Sequence, residues 1–386
     1  MKRIHSIDLT RGIVMIIMAL DHVRDLLHVN AITQSPTNLD TTTPPLFMTR
    51  WVTHLCAPVF VFLSGTSVYL TLQRSADLKG SRRFLQKRGL WLILLELTLM
   101  NFALFFDLGF HTIIFAVIAT IGFGFIMLSL MSKWTVKTIA IIGLSIIFLH
   151  NLLAVVPFGK DSIVAAIINP LFAPGAVSVG GRTLLMAYPP IPWLGIMLVG
   201  YATGKTFEWE APRRKQLFIK IGGAALLLFI LLRFINIYGD PVQWQPRKNA
   251  IYTILSFINN TKYPPSLQFT LTMLGIMFLI LSAAEKARGN IAKVITTYGK
   301  VPLFYYILHF YLIHIILIIV LWMQGISWQQ MQFATGTFGR PRNVNTGLNL
   351  WQVYLVWITV VALLYMPCVW YARYKATHNK WWLKYI

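Results

Sequence analysis

The first apolar segment of the chain carries ionisable side chains near both of its ends. Asp8 and Arg11 lie in its first turns, and Asp21, His22 and Asp25 lie near its other end. A charged side chain inside a bilayer costs on the order of 3 kcal/mol on insertion scales, so such residues persist where they line a polar interior or pathway. At ~100° per residue, one stripe of this helix holds Arg11, Met15, Met18, His22 and Asp25. A rise of ~1.5 Å per residue separates Arg11 from His22 by roughly 16 Å, so one helix carries charge at one membrane face and proton-handling groups toward the other.

His22 is the strongest candidate for proton transfer. A neighbouring carboxylate raises the basicity of an imidazole and fixes its tautomer, as a general base requires. Asp21 is adjacent in sequence but points about 100° away on a helix, whereas Asp25, three residues on, shares the face of His22 better. The alternative is a charge-compensated polar patch that binds this helix into the bundle.

Most histidines lie toward one side of the predicted bundle. The outer set is His22, His28, His54, His111, His150 and His314, with His309 near mid-depth and Asp107 and Arg233 at a similar depth to the set. Histidine titrates near neutral pH and is the usual side chain for moving protons in catalysis. We predict a shared polar cavity that opens outward. For any one of these residues alone, an interfacial or hydrogen-bonded core position explains the sequence equally well or better.

Arg11 and Lys300 could bind phosphate together at the inner face of the membrane. Further cations that could contribute are Arg82, Arg83, Lys87 and Arg88. Asp8 lies one turn from Arg11, so a structural ion pair is an equal alternative for that arginine. Lys300 taken alone is explained by the usual excess of lysine on the cytoplasmic side.

These residues lie on a chain whose composition is that of a membrane protein. The 386 residues are 56% hydrophobic and only 12% charged, where a soluble protein of this size has about a quarter charged residues. About ten apolar segments are long enough to span a bilayer, near 9–29, 54–73, 89–107, 112–132, 136–157, 183–204, 217–237, 267–284, 301–323 and 350–372. We therefore predict an all-α polytopic membrane protein, with residues 1–386 forming a single transmembrane domain.

The net charge of +22 reflects membrane topology rather than nucleic-acid binding. With a cytoplasmic N-terminus, the inward-facing segments hold 23 of the 34 Lys and Arg residues and the outward side holds ten, Arg11 being the remaining one. This bias in short loops follows the positive-inside rule and predicts that both termini are cytoplasmic. Anionic lipid is then the default partner of the positive charge.

One predicted span begins irregularly. Pro189, Pro190 and Pro192 follow Tyr188 closely, and an α-helix cannot continue through them. Irregular backbone at membrane depth is tolerated beside protein or a cavity, so this segment is expected to form a pocket wall rather than a simple helix start.

Four blocks of the sequence resemble the heparan-α-glucosaminide N-acetyltransferase catalytic-domain family, and the chain looks like a bacterial member of it. The blocks are Ser6-Ile-Asp8-Leu-Thr-Arg11-Gly12 with Met18-Ala-Leu-Asp21-His22, Cys56-Ala-Pro58-Val-Phe-Val-Phe-Leu-Ser64-Gly65, Pro192-Trp193-Leu-Gly195, and Gly299-Lys300-Val-Pro302-Leu-Phe-Tyr-Tyr-Ile-Leu-His309. The order and spacing of the blocks carry the resemblance, which extends over most of the chain and to the wider group of ten-helix membrane acyltransferases.

The resemblance implies that cytoplasmic acetyl-CoA donates an acetyl group to an acceptor, typically a sugar or glycoconjugate, on the opposite face of the bacterial inner membrane. His22 falls about where the lysosomal enzyme carries a catalytic asparagine, and His28 and His54 are candidates for the counterpart of its catalytic histidine. The candidate catalytic residues are His22, Asp21, Asp25, His28, His54 and His309, and the candidate donor-binding residues are Asp8, Arg11 and Lys300. No metal and no nucleic acid are expected, and a homodimer stays open.

Two alternatives follow from the same residues. A transporter or channel could use the intramembrane His and Asp side chains as a pathway for a small polar solute. Within the acetyltransferase hypothesis, His22 could act as a general base or could itself carry the acetyl group. The sequence leaves the identity of the acceptor and the choice between N- and O-acetylation open.

Overall fold

The computed structural model describes residues 4–155, 163–334 and 336–386, most of which are helical. The helices are α1 (His5–Leu27), α2 (Pro44–Thr53), α3 (Cys56–Gln73), α4 (Leu78–Leu95), α5 (Asn101–Phe105), α6 (Val117–Met131), α7 (Val136–Leu149), α8 (Ile163–Phe172), α9 (Pro190–Thr203), α10 (Ala211–Ile235), α11 (Ala250–Ile258), α12 (Leu267–Ala284), α13 (Asn290–Lys300), α14 (Pro302–Met323) and α15 (Leu350–Thr377). A π-helical segment, Glu96–Met100, joins α4 to α5, and 3-10 turns occupy His150–Val155, Gly204–Glu208, Trp328–Gln330 and Trp381–Lys384.

A small sheet is the main departure from the all-α prediction. Its strands are β1 (Thr112–Phe115), β2 (Gly175–Val179) and β3 (Arg182–Met186), in the order β1-β3-β2. β1 pairs with β3 in parallel, and β2 pairs with β3 as an antiparallel hairpin. The predicted spans 112–132 and 183–204 therefore begin as strands, because short apolar runs do not distinguish a strand from the start of a helix.

The helix that follows β3 begins inside the proline cluster. α9 starts at Pro190, and Pro192 also lies in its first turn, where a missing backbone N–H is harmless. Tyr188 precedes the helix, and its hydroxyl lies 3.3 Å from that of Tyr263. The prolines thus mark an ordinary helix start, and Tyr188 packs against a residue that lines the pocket described below.

Six helical stretches of the described residues are long and apolar enough to cross a membrane. They are Pro44–Gln73, Leu78–Phe105, Ala211–Ile235, Leu267–Ala284, Pro302–Met323 and Leu350–Thr377, and the shorter apolar helices are Val117–Met131 and Val136–Leu152. These stretches support an integral membrane protein. The predicted count of about ten spans and the cytoplasmic position of both termini stay predictions.

The charged helix α1 lies inside the bundle. It contacts α2, α3, α12, α13, α14 and α15, and 16 of its 23 residues are buried. Asp8, Asp21 and Arg24 are among the buried ones. These three charged side chains therefore face the protein interior, as expected of charges in an apolar helix.

Glycines allow the close helix contacts that fix α1. A Cβ on Gly299 would lie 1.8 Å from the carbonyl oxygen of Asp8, and one on Gly12 would lie 2.0 Å from that of Ile295. Only glycine, which has no Cβ, fits at these two positions while α1 and α13 keep this separation. The contact holds Asp8 and Arg11 beside Lys300 at the end of α13.

Candidate active site

A cavity of about 350 Å³ runs beside the N-terminal half of α1. We call it the basic cavity, because its charged lining consists of Arg11, Arg74, Arg88, Lys300 and Lys375 with Asp8 as the carboxylate. The structure thus brings the three predicted donor-binding residues together. Of the four additional cations considered, Arg88 lines the cavity; Arg74 and Lys375 were not predicted as ligands.

Arg11 is held by the neighbouring helix α3. Its guanidinium donates to the carbonyl oxygen of Leu63 at 2.9 Å and to the hydroxyl of Ser67. The distance to the Asp8 carboxylate is 3.9 Å, so the predicted ion pair exists but is long. Arg11 is therefore held in place and also lines the cavity. Both the ion pair with Asp8 and phosphate binding are compatible with this position.

The far end of the basic cavity reaches the middle of the bundle. Met15, Ile118 and Tyr306 line it there. The buried carboxylate of Glu96, in the π-helical segment, accepts hydrogen bonds from the backbone N–H groups of Ile118 at 2.7 Å and Ala119 at 3.1 Å. Glu96 thereby fixes the first turn of α6 at the cavity wall; π-helical segments are often found at functional sites.

Two histidines from helices far apart in sequence meet at this depth. Nδ1 of His22 lies 2.7 Å from Nε2 of His309, and Nδ1 of His309 lies 3.2 Å from the carbonyl oxygen of Tyr305. A carbonyl oxygen only accepts, so Nδ1 of His309 carries a proton. With both rings neutral, Nε2 of His309 accepts from Nδ1–H of His22. The lone pair on Nε2 of His22 is then available as a base.

Aromatic rings surround this histidine pair. The ring of Phe310 stacks on His22 with centroids 4.2 Å apart, and the ring of Tyr306 stands nearly perpendicular to it at 6.4 Å. His309 is completely buried, whereas His22 keeps part of its surface accessible. Tyr306 also lines the basic cavity, so His22 lies just beyond the end of that cavity.

Asp21 forms a hydrogen-bonded junction between α1 and α2. Its carboxylate accepts from Arg24 at 2.8 Å, from Arg50 at 2.6 Å and from the hydroxyl of Thr53 at 2.6 Å. Asp25 accepts from Arg24 at 2.7 Å. Neither carboxylate shows a hydrogen bond to His22, whose partner is a second histidine. The polar-patch alternative therefore describes Asp21 well.

A second, polar pocket of about 320 Å³ lies at the other end of α1. We call it the polar pocket; its ionisable and amide side chains include Arg24, Asp25, Arg50, His54, Asn260 and Lys262. Along α1, Met15 is the last residue that lines the basic cavity and Arg24 is the first that lines the polar pocket. His22, and with it the histidine pair, therefore lies between the two cavities. Of the predicted catalytic residues, Asp25 and His54 line this pocket.

The wider histidine cluster predicted from the sequence does not share one cavity. His28 lies beyond the end of α1, where its carbonyl oxygen binds Arg340 at 2.8 Å. His111 pairs with Asp107 at 2.9 Å, and the rings of His150 and His314 contact backbone carbonyl oxygens. Each of these histidines thus has a local hydrogen-bond partner, although Nε2 of His150 and of His314 is buried and has none among the described residues.

Arg233 was predicted to line the shared outer cavity. It does not line the polar pocket but supports one of the segments that do. Its completely buried guanidinium donates to the backbone carbonyl oxygens of Phe257, Ser256 and Asn259 at 2.7–3.0 Å. These contacts fix the segment that carries Asn260 to Tyr263 into the pocket.

In the polar pocket, the cations Arg50 and Lys262 are among the site residues that the sequence analysis missed. Arg50 lies in the short helix α2, which was treated as a connection, and Lys262 lies in a long loop between α11 and α12. One signal was present: each is a cation on the predicted outer side, where the positive-inside rule disfavours cations.

Among residues 4–155, 163–334 and 336–386, no group of three or more His, Cys, Asp and Glu side chains is arranged to hold a metal ion. The sequence profile described as heparan-alpha-glucosaminide N-acetyltransferase, catalytic, matches residues 3–234. No curated protein matches the chain. The matched range covers α1 to α10, and therefore His22, the Asp21 junction and the Arg11 side of the basic cavity.

Proposed function

The chain belongs to the heparan-α-glucosaminide N-acetyltransferase catalytic family, and we propose that it transfers the acetyl group of cytoplasmic acetyl-CoA to an extracytoplasmic sugar or glycoconjugate. Membership confirms the resemblance read from the sequence blocks and implies a transmembrane acetyltransferase. The side from which the donor enters, the nature of the acceptor and the bacterial inner membrane as its location are the proposed parts.

One observation carries the proposal: the His22–His309 pair lies between two cavities of different chemistry along a single buried helix. The basic cavity has five cationic side chains and one carboxylate, which suits the phosphates of CoA. The polar pocket begins within one turn of His22 on its other side. Donor and acceptor can thus approach the same imidazole from opposite faces of the membrane.

The donor would lie along α1. Its phosphates would bind at Arg11, Arg88 and Lys300, and its extended arm would follow the cavity past Met15 toward Tyr306. The separation of roughly 16 Å between Arg11 and His22 sets the reach that the arm needs. The acetyl thioester would arrive at the histidine pair.

His22 would act as the general base. Its Nε2 takes the proton from the acceptor hydroxyl or amine as that atom attacks the thioester carbonyl carbon. The carbon–sulfur bond then breaks, and the imidazolium returns the proton to the CoA thiolate. His309 accepts the hydrogen bond from Nδ1–H throughout, and the carbonyl oxygen of Tyr305 fixes its tautomer. Holding both substrates at one imidazole supplies much of the rate enhancement.

The test separates donor binding from chemistry. Purified protein is expected to be stabilised thermally by CoA and acetyl-CoA, by about 2.7 kcal/mol at a hundredfold excess over Kd. His22→Ala is expected to keep this stabilisation and to lose transfer of labelled acetyl groups to cell-envelope material. His111→Ala, at the partly exposed histidine paired with Asp107, is the control and should retain transfer. Absence of stabilisation and of transfer in the wild-type protein would favour the transporter alternative. Full transfer by His22→Ala would exclude the His22 imidazole as the base.

A further inference from the structure

Several buried polar atoms of the residues that line the polar pocket have no hydrogen-bond partner in the described part of the chain. Nδ1 of His54, Oδ1 of Asn260 and Nε of Arg24 are buried and have no hydrogen-bond partner among the described residues. His54 and Asn260 are each 4% exposed, and all three residues line the pocket. A buried polar atom without a partner costs about 1–3 kcal/mol, so three of them at one pocket indicate a ligand that supplies the missing bonds.

Lys262 adds a positive charge that the pocket does not neutralise. The residue is only 6% exposed, and its ammonium nitrogen lies 5.1 Å from the centre of the Tyr263 ring. Asp25, which lines the pocket, and Asp21 beside it already accept hydrogen bonds from Arg24, and Asp21 also from Arg50. The three cations Arg24, Arg50 and Lys262 are therefore balanced by only two carboxylates. Burying a charge without a counter-charge is strongly unfavourable, so an anion is the ligand that this lysine fits.

Asn260 specifies a second feature of the ligand. The hydroxyl of Thr272 donates to the carbonyl oxygen of Gln268 at 2.8 Å, so it can only accept from Nδ2 of Asn260 at 3.1 Å. This fixes the orientation of the amide and leaves Oδ1 as an acceptor. An acceptor in this position requires a ligand that donates, such as a sugar hydroxyl.

We propose that the polar pocket binds a saccharide that carries a negative group, with Lys262 paired to the anion and Asn260 accepting from a sugar hydroxyl. The anion is a carboxylate or a phosphate ester, since both suit a single ammonium group. The role of this saccharide as acetyl acceptor rests on the proposed function, whereas its binding at Lys262 does not. The pocket thus selects an acidic sugar from among the glycans outside the membrane.

Binding of three probes to the purified full chain tests the proposal: glucose, glucuronate and glucose 6-phosphate. We expect glucuronate or glucose 6-phosphate to bind the wild-type protein at least tenfold more tightly than glucose, and the difference between them identifies carboxylate or phosphate. Lys262→Gln should abolish this preference while leaving glucose binding unchanged, and Lys262→Arg should restore most of it. Lys248→Gln, in the same outer region but outside the pocket lining, is the control.

Stability of the empty protein gives a second readout. Because Lys262 leaves the pocket with one more cation than carboxylates, Lys262→Gln should melt at or above the wild-type temperature, which a lysine needed for folding would not show. Equal binding of the three probes by the wild-type protein, or an anion preference that persists in Lys262→Gln, would overturn the proposal. Anion preference without any acetyl transfer would retain the saccharide site and refute the acetyltransferase function; transfer to neutral sugars alone would do the reverse.

Discussion

At the scale of residues, the proposed mechanism depends on the His22–His309 hydrogen bond, a relay that the sequence indicated only in part. His22 and His309 were both candidates, because each is an ionisable group in an apolar helix. Their contact could not be predicted, since 287 positions separate them and only the packing of α1 against α14 brings them together. The sequence suggested a carboxylate as the partner of His22, but Asp21 is occupied by Arg24, Arg50 and Thr53.

The relay predicts a specific role for His309 as a positioning residue. His309→Leu removes the acceptor of the His22 Nδ1–H bond and should lower kcat on the order of a hundredfold. The KM for acetyl-CoA should stay near the wild-type value, because His309 does not line the basic cavity. Steady-state kinetics of the single variants and of His22→Ala with His309→Leu measure this.

Two residues that act as a unit should be strongly non-additive, so the double variant should be little worse than His22→Ala alone. His309→Gln, which retains an acceptor near Nε2, should recover part of the loss. Fully additive effects of the two substitutions would contradict a shared relay.

At the scale of elements, the sequence predicted most helices but not the short strands that precede two of them. Apolar runs at Thr112–Phe115 and Arg182–Met186 were assigned to spans, although they form β1 and β3. Hydrophobicity alone does not separate these structures, and strand pairing depends on partners about 70 positions away. The Gly299-Lys300 block, in contrast, carried real structural information, because only glycine permits α13 to approach α1.

The α1–α13 contact gives an element-scale prediction. Gly299→Ala places a Cβ 1.8 Å from the carbonyl oxygen of Asp8, so the helices must separate. We expect a loss of about 1–3 kcal/mol in the free energy of unfolding, as for other overpacked sites, together with weaker stabilisation by CoA. Gly223→Ala is the matched control, since nothing lies within 4 Å of a Cβ there. Thermal melts with and without CoA compare the variants, and equal behaviour of the two would refute the role assigned to this contact.

At the scale of the whole molecule, composition and charge distribution predicted the class of protein, and one helix predicted the line along which the proposed site is arranged. The stripe from Arg11 to Asp25 predicted separated charges, and the structure places a cation-lined cavity at one end and a polar pocket at the other. The pocket itself could not be read from the sequence. Arg50 and Lys262 come from a short helix and a loop, and Arg233 fixes that loop through backbone carbonyl groups that carry no sequence signature.

We propose above all that acetyl groups enter from the cytoplasmic face and leave on an acceptor at the other face. Sealed inverted and right-side-out membrane vesicles containing the protein, supplied externally with labelled acetyl-CoA, test it most directly. We predict labelling of envelope material in inverted vesicles, with the labelled product inside the vesicle until it is permeabilised, and none with His22→Ala. Equal labelling of intact right-side-out vesicles, or product exposed on the same face as the donor, would contradict transfer between the two cavities.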